Sequence, residues 1–142
     1  MEKRNHSLIK QVIYVSKPIG FDDKILDRIL AKSAINNEKN NITGALICRS
    51  DLYLQFLEGP AHKIDNRYSW IKVDARHREV KLLGDTRSKR RLFSNWAMKG
   101  DPAKDWMWTK SEVKDGILDR LSKHEAMEVF VRHSREIDQF LS

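Results

Sequence analysis

The segment NNEKNNITGALICRSDLYLQFLEGP, residues 36–60, has the pattern of a β-hairpin. A strand is predicted from Ile42 to Cys48, after the turn-forming pair Asn40–Asn41. A second strand is predicted from Leu52 to Leu57, since Gly59–Pro60 follows and both residue types stop strands. The rest of the chain can be placed around these two strands.

The second strand carries a primary amide, Gln55, within an apolar run. Successive side chains of a strand alternate between its faces, so Gln55 shares a face with Tyr53 and Leu57. A buried amide without partners costs roughly 2–7 kcal/mol, so Gln55 must be hydrogen bonded. Its ordinary role would be a bond to a neighbouring strand or to water.

The first strand is predicted from Leu8 to Ser16, because β-branched residues dominate it and Pro18 ends it. Tyr14 lies near its carboxyl end and shares a face with Val12. In most folds such a tyrosine is a core residue whose hydroxyl reaches any nearby acceptor.

The remaining pattern alternates helices with strands. A helix that ends just before the amide pair Asn36–Asn37 gives that pair an ordinary role as a C-cap. The other predicted elements are helix Phe21–Ala34, helix Ala61–Ala75, strand Val80–Asp85 and strand Leu92–Gly100.

The element order βαββαββ predicts an α+β fold, a ferredoxin-like sandwich with two helices on one face of a mixed sheet. Residues 1–100 form this domain, and residues 101–142 form a C-terminal helical extension. The extension has apolar residues at helical spacing, so we expect it to pack on the open sheet face. These residues are Val113, Ile117, Leu121, Met127, Phe130, Val131, Ser134, Ile137 and Leu141.

Composition indicates one globular domain. The 142 residues are 40% hydrophobic and 33% charged, and no apolar run approaches the roughly 20 residues that span a bilayer. The start, MEKRNHS, lacks the apolar core of a signal peptide, and the single cysteine, Cys48, suits a reducing compartment. We therefore expect a cytoplasmic protein. The scattered histidines give no metal-binding signature.

Three classes of function fit a small basic α+β protein with a formal charge of +7. A nucleic-acid-binding module on this fold needs stacking aromatics in a pattern that LYLQFLEG lacks. A small enzyme on this fold, such as an acylphosphatase-like hydrolase or a flavin-dependent reductase, needs a phosphate-binding turn, and Lys17–Gly20 is short and poor in glycine. The basic run Arg87–Arg91 is expected to be a solvated loop. The third class, a flavin photosensor, depends on a resemblance.

Five motifs, in order, resemble the BLUF (blue-light sensing using flavin) family over roughly residues 8–100. The chain departs from the family pattern at Tyr53, at Asn41, where glycine is usual, and at Arg67, where an aliphatic residue is more common. The matching motifs are Tyr14–Ser16 (Y-x-S), Asn36–Asn37 followed by Ile42–Gly44 (I-T-G), Leu54–Gly59 around the glutamine, Asp74–His77 (D-x-R-H), and Arg91, Phe93, Trp96 and Met98.

The resemblance implies non-covalent binding of FAD, with FMN or riboflavin as alternatives. It implies a photoactive switch of Tyr14, Gln55, Trp96 and Met98. The cofactor-binding residues that it implies are Asn36, Asn37, Gln55, Arg76, His77, Ile29 and Tyr14. Ordinary roles stay open for some of these residues: His77 near a helix end binding free carbonyls, and Trp96 with Met98 packing in the core.

The resemblance also implies a mechanism without turnover, so we expect no enzymatic activity. Blue light makes the flavin a strong oxidant, Tyr14 gives it an electron and a proton, and Gln55 is left rotated or tautomerised. A new hydrogen bond to the flavin then shifts its absorption to the red. The sequence shows no catalytic domain, so we expect the signal to reach a second copy of the chain or a separate protein partner.

Overall fold

The computed structural model describes residues 8–18, 23–73, 77–93, 99–102 and 106–141. Within these ranges the chain forms five strands, four α-helices and one 3-10 turn. The strands are β1 (Ile9–Pro18), β2 (Thr43–Arg49), β3 (Leu52–Gly59), β4 (His77–Ser88) and β5 (Lys99–Pro102). The helices are α1 (Asp23–Lys39), α2 (Ala61–Val73), α3 (Lys110–Lys114) and α4 (Lys123–Leu141), and the 3-10 turn is Ile117–Asp119.

The strands form one mixed sheet in the order β4-β1-β3-β2-β5. Strand β5 runs parallel to β2, and every other neighbouring pair is antiparallel. The predicted α+β, ferredoxin-like class is confirmed. Strand β3 lies in the middle, and all eight of its residues are buried, which explains its apolar sequence.

The glycine of the I-T-G motif is required by a close approach between β2 and β3. A Cβ on Gly44 would lie 2.1 Å from the carbonyl oxygen of Phe56, a distance that backbone cannot accommodate. Glycine therefore lets the hairpin strands pair where Gly44 lies opposite Leu57, two positions from Gln55.

Helices α1 and α2 cover one face of the sheet. Side chains from this face pack in two adjoining clusters. Ile64 and Ile71 of α2 pack with Val12, Tyr14, Ile42 and Leu57 in one cluster, and Ile29 of α1 packs with Leu46, Cys48 and Tyr53 in the other.

The C-terminal extension covers the opposite face, as predicted. Phe56 of β3, Phe93 and Phe130 of α4 meet with ring centroids 5.3–6.3 Å apart. The buried side of α4 is offset from the predicted stripe, because Met127 and Val131 are only half-buried. The buried residues of α4 recur at helical spacing: Ala126, Val129, Phe130, His133 and Ser134.

The first helix ends later than the sequence indicated. It was predicted to stop before Asn36, but α1 continues to Lys39, so the amide pair lies inside the helix. The stop comes from Asn41, whose φ of 58° is left-handed, while the amide of Ile42 donates to the carbonyl of Asn37 at 2.8 Å. Asparagine tolerates this conformation, and Asn41 therefore ends the helix where a glycine usually would.

Strand boundaries also differ from the prediction. Strand β4 extends beyond the predicted Val80–Asp85 at both ends, and β1 continues past Ser16 to Pro18. Helix α2 is described as far as Val73, and its predicted end near Ala75 lies outside the described residues, whereas His77 is the first residue of β4. The last strand was predicted from Leu92, but Leu92 and Phe93 lie outside any strand, and β5 spans Lys99–Pro102.

A buried carboxylate fixes the segment that follows β4. Glu58 of β3 is fully buried and accepts hydrogen bonds from the backbone amides of Leu92 at 2.8 Å and Phe93 at 2.7 Å. Gln11 and Thr43 donate to the same carboxylate, each at 3.1 Å. Four donors thus compensate the desolvated charge and join β1, β2 and β3 to residues 92–93.

Arg91 reinforces this connection, so the prediction of a solvated basic loop is wrong at this residue. It is also wrong at Arg87 and Ser88, which lie in β4. Its guanidinium donates to the carbonyl oxygens of Asn41 at 2.7 Å and Glu58 at 3.1 Å, and to the Thr43 hydroxyl at 2.9 Å. Lys89 and Arg90 are exposed. In the part of the chain that the structure describes, no helix has the length and apolar character to cross a membrane.

Removing the Phe130 ring tests the packing of α4. Phe130→Ala should lower the free energy of unfolding by about 3–5 kcal/mol, because the cavity opens between Phe56 and Phe93. Denaturant titration measures this change. Arg135→Ala, at an exposed position of the same helix, should change stability by less than about 0.5 kcal/mol. Equal stability of the two variants would show that α4 does not pack on the sheet in solution.

Glu58→Gln tests the carboxylate connection. Each oxygen of the carboxylate accepts two of the four hydrogen bonds, one of them from the amide of Leu92 or Phe93. The amide nitrogen of glutamine cannot accept, so two donors lose their acceptor, and the free energy of unfolding should fall by about 1–3 kcal/mol for each. Chemical unfolding and hydrogen exchange at the amides of Leu92 and Phe93 would report it. The exposed substitution Glu38→Gln provides the control, and unchanged exchange at those two amides in Glu58→Gln would contradict the expectation.

Candidate functional site

Tyr14 and Gln55 lie directly opposite each other on β1 and β3. Opposite residues of an antiparallel pair project to the same side, and here that side is the one covered by α1 and α2. Both side chains are buried, at 0% and 3% exposure, and the Tyr14 hydroxyl donates a hydrogen bond to Gln55 Oε1. The fold thus joins the two residues that the sequence singled out.

A second tyrosine contacts this pair. The ring of Tyr68 on α2 lies 5.4 Å from that of Tyr14, tilted by 53°. Burial raises the pKa of the Tyr68 hydroxyl, and Lys72 Nζ lies 5.4 Å from the Tyr68 ring centroid. None of the sequence motifs singles out Tyr68. Its contact with Tyr14 depends on how α2 crosses β1, which no local pattern encodes.

The amide pair presents one residue inward and one toward the gap between the helices. Ile29, Ser33 and Asn37 recur every four residues on α1 and are all buried, so Asn37 belongs to the face toward the sheet. Asn36, half-buried, lines a cleft between α1 and α2. Neither residue caps the helix, so the capping role considered for them is wrong.

The cleft has a volume of about 490 Å³, in the usual range for sites that bind small molecules. Helix α1 contributes Lys32, Asn36 and Asn40 to its walls. Helix α2 contributes Lys63, Asn66, Arg67, Trp70, Ile71 and Val73. The described residues that line it include three cations and no carboxylate, so the cleft favours an electron-rich or anionic ligand.

Arg67 extends across the cleft, and one of its N–H groups lacks a hydrogen-bond acceptor there. Its Nη2 donates to the Ser33 hydroxyl at 3.3 Å, whereas its buried Nε has no hydrogen-bond partner among the described residues. A buried donor without an acceptor costs about 1–3 kcal/mol. A ligand with carbonyl or phosphate oxygens would remove this penalty, so a flavin fits the chemistry of the cleft.

Several residues implied by the resemblance cannot be placed. Arg76, Trp96 and Met98 lie outside the described residues, and for His77 only the backbone is described, as the first residue of β4. Elsewhere in the described ranges, no cluster of metal-ligating side chains occurs.

Comparison with known proteins identifies the family. The family model described as sensors of blue light using FAD matches residues 9–99. A solved bacterial light-regulated adenylyl cyclase is 32% identical, with a TM-score of 0.63, and the match covers 84% of this chain and 36% of the cyclase. BlrB, a BLUF protein solved in its dark state, has a TM-score of 0.66 at 22% identity over 84% of this chain and 94% of BlrB.

A curated relative agrees with this assignment. Photoactivated adenylate cyclase subunit beta of Euglena gracilis is 22% identical over 126 residues, 87% of this chain. The match spans only 13% of the length of that cyclase subunit. With the family model matched over most of the chain, this protein belongs to the BLUF family of blue-light sensors that use FAD.

Proposed function

We propose that this chain senses blue light through a switch formed by Tyr14 and Gln55, next to a flavin held between α1 and α2. The hydrogen bond from the Tyr14 hydroxyl to Gln55 Oε1 is the observation that carries the proposal. A carboxamide has one accepting atom and one donating atom. Because the oxygen of Gln55 faces Tyr14, its nitrogen is directed away from that hydroxyl and can donate to the ring edge of the ligand before illumination.

The described residues fit a flavin. Asn37 and Gln55 offer buried amides to a polar ring edge, Ile29 offers an apolar contact, and Arg67 has a buried donor without an acceptor. Asn36 assists from the cleft wall. Arg76 and His77 complete the set by resemblance. FAD is the proposed ligand, with FMN or riboflavin as alternatives, bound without a covalent bond.

The chain contributes a proton path and a reversible rearrangement. When bound, the flavin supplies an oxidant that blue light activates. Tyr14 then gives up an electron and its hydroxyl proton, and Gln55 Oε1, the acceptor of that hydroxyl, lies next along the path. When the electron and proton return to Tyr14, Gln55 stays rotated or tautomerised, with a new donor directed to the flavin. The red shift of the flavin absorption reverses in the dark because no covalent bond has formed.

The light signal can leave the flavin site through the packing on the opposite face of the sheet. Gln55 and Phe56 are neighbours on β3, and Phe56 contacts Phe130 of α4. We propose that residues 1–100 bind the flavin, that residues 101–142 pass the signal on with Trp96 and Met98, and that a second copy or a separate protein receives it. Most of the length of the similar cyclases is unmatched, so we assign this chain no turnover of its own. A cytoplasmic location stays a prediction.

The switch predicts the spectra of three proteins. Purified wild-type protein should be yellow and show a reversible red shift after blue illumination. Tyr14→Phe removes the hydroxyl and Gln55→Leu the amide, so both variants should bind flavin without that shift. Light-minus-dark absorption measures it. A wild type without a shift would refute the photosensor, and a photocycling Gln55→Leu would refute the switch.

Asn37→Ala tests the proposed grip on the ring edge. Loss of one buried hydrogen bond should weaken flavin binding by about 5- to 150-fold, equivalent to about 1–3 kcal/mol, while circular dichroism stays unchanged. Glu38→Ala, an exposed neighbour on α1, should bind flavin as the wild type does. Equal flavin affinity in both variants would leave Asn37 as an ordinary core amide.

A further inference from the structure

An exposed indole on α2 is not explained by folding. Trp70 is 66% exposed, and beside it on the cleft wall Val73 is 74% exposed. Tryptophan buries much of its surface in most proteins, because its large apolar area gains free energy when removed from water. A planar aromatic face beside a ligand cleft is suited to stacking on another planar group.

Two lysines approach the same cleft from opposite helices. Lys32 lies on α1 and Lys63 on α2, and both line the cleft together with Trp70. None of the hydrogen bonds or ion pairs found among the described residues involves either ammonium group. Their charge is therefore available to an anionic group of a ligand.

These side chains are more exposed than the residues proposed to hold the flavin ring. Asn37 and Gln55 are buried, whereas Lys32 and Trp70 are exposed. Ile71 lines the cleft and also belongs to the buried cluster that contains Tyr14. A ligand with its ring system at this buried end would extend its remaining parts past the lysines and the indole. In FAD those parts are a diphosphate and an adenine, which match two cations and one aromatic plane.

We propose that the mouth of the cleft recognises the adenosine diphosphate half of FAD, with Lys32 and Lys63 holding phosphate and Trp70 stacking on adenine. This inference rests on the proposed flavin site. It makes the chain selective for FAD over FMN, through Trp70, and for FMN over riboflavin, through the lysines. The family model names FAD as the cofactor, but it assigns no residue to this selection.

Dissociation constants of riboflavin, FMN and FAD for the flavin-free protein separate the contribution of the lysines from that of Trp70. Base–aromatic stacking predicts that FAD binds about tenfold more tightly than FMN. Exposed charge pairing predicts that FMN binds several-fold more tightly than riboflavin. Raising the salt concentration should shrink the FMN-to-riboflavin ratio, because exposed charges are screened. Quenching of flavin fluorescence measures all three constants.

Substitutions show which residues produce each difference in affinity between two flavins. Trp70→Leu should bring the FAD-to-FMN ratio close to one and leave riboflavin binding unchanged, whereas Trp70→Phe keeps an aromatic plane and should retain most of the ratio. Lys32→Met with Lys63→Met should remove the FMN-to-riboflavin ratio. Lys39→Met removes one exposed charge of α1 that does not line the cleft, and it should change neither ratio.

The outcomes distinguish this inference from the proposed function. Equal affinity of the wild type for the three flavins would overturn the selective mouth and leave the flavin sensor intact. Retention of the FAD-to-FMN ratio in Trp70→Leu would also overturn the role of Trp70. A protein that binds none of the three flavins would overturn the flavin site itself, and the inference with it.

Discussion

The antiparallel register of β1 and β3 is the constraint on which the site depends. It places Tyr14 opposite Gln55, and both residues then lie beneath the helices. A slip of one residue in either strand would turn every side chain of that strand to the other face. Burial of β3 on both sides prevents such a slip, because each face has its own apolar contacts. The alignment of a phenol with an amide is thus specified by core packing.

Much of this arrangement could be predicted because it depends on short-range periodicity. Alternation along the β-hairpin assigned Gln55 and Phe56 to opposite faces, and the element order made β1 and β3 neighbours. The fold class and the covering of the open face by α4 followed from the same rules. Helical spacing alone placed the buried side of α4 less well, since Met127 and Val131 flank the true contact face.

Other features depended on contacts between distant residues. Helix α1 passes Asn36 because the stop is set by the left-handed backbone at Asn41, and asparagine also occurs freely inside helices. Glu58 lies just past the predicted end of its strand, yet it is buried and its donors come from Gln11, Thr43 and the segment after β4. The hydrogen-bond donors of this buried carboxylate lie far from it in sequence, so a local pattern does not reveal them.

The single layer of β3 between the two helical layers has a thermodynamic consequence. Gln55 and Phe56 are joined by one peptide bond, and their side chains project to opposite faces of β3. A change in the arrangement of the Gln55 amide can therefore alter the position of the Phe56 ring. Coupling between two sites is reciprocal in free energy. In the proposed switch, a protein that bound α4 more tightly after illumination would, to the same extent, favour the illuminated arrangement of Gln55. The partner would thereby act as an allosteric effector of the chromophore's colour.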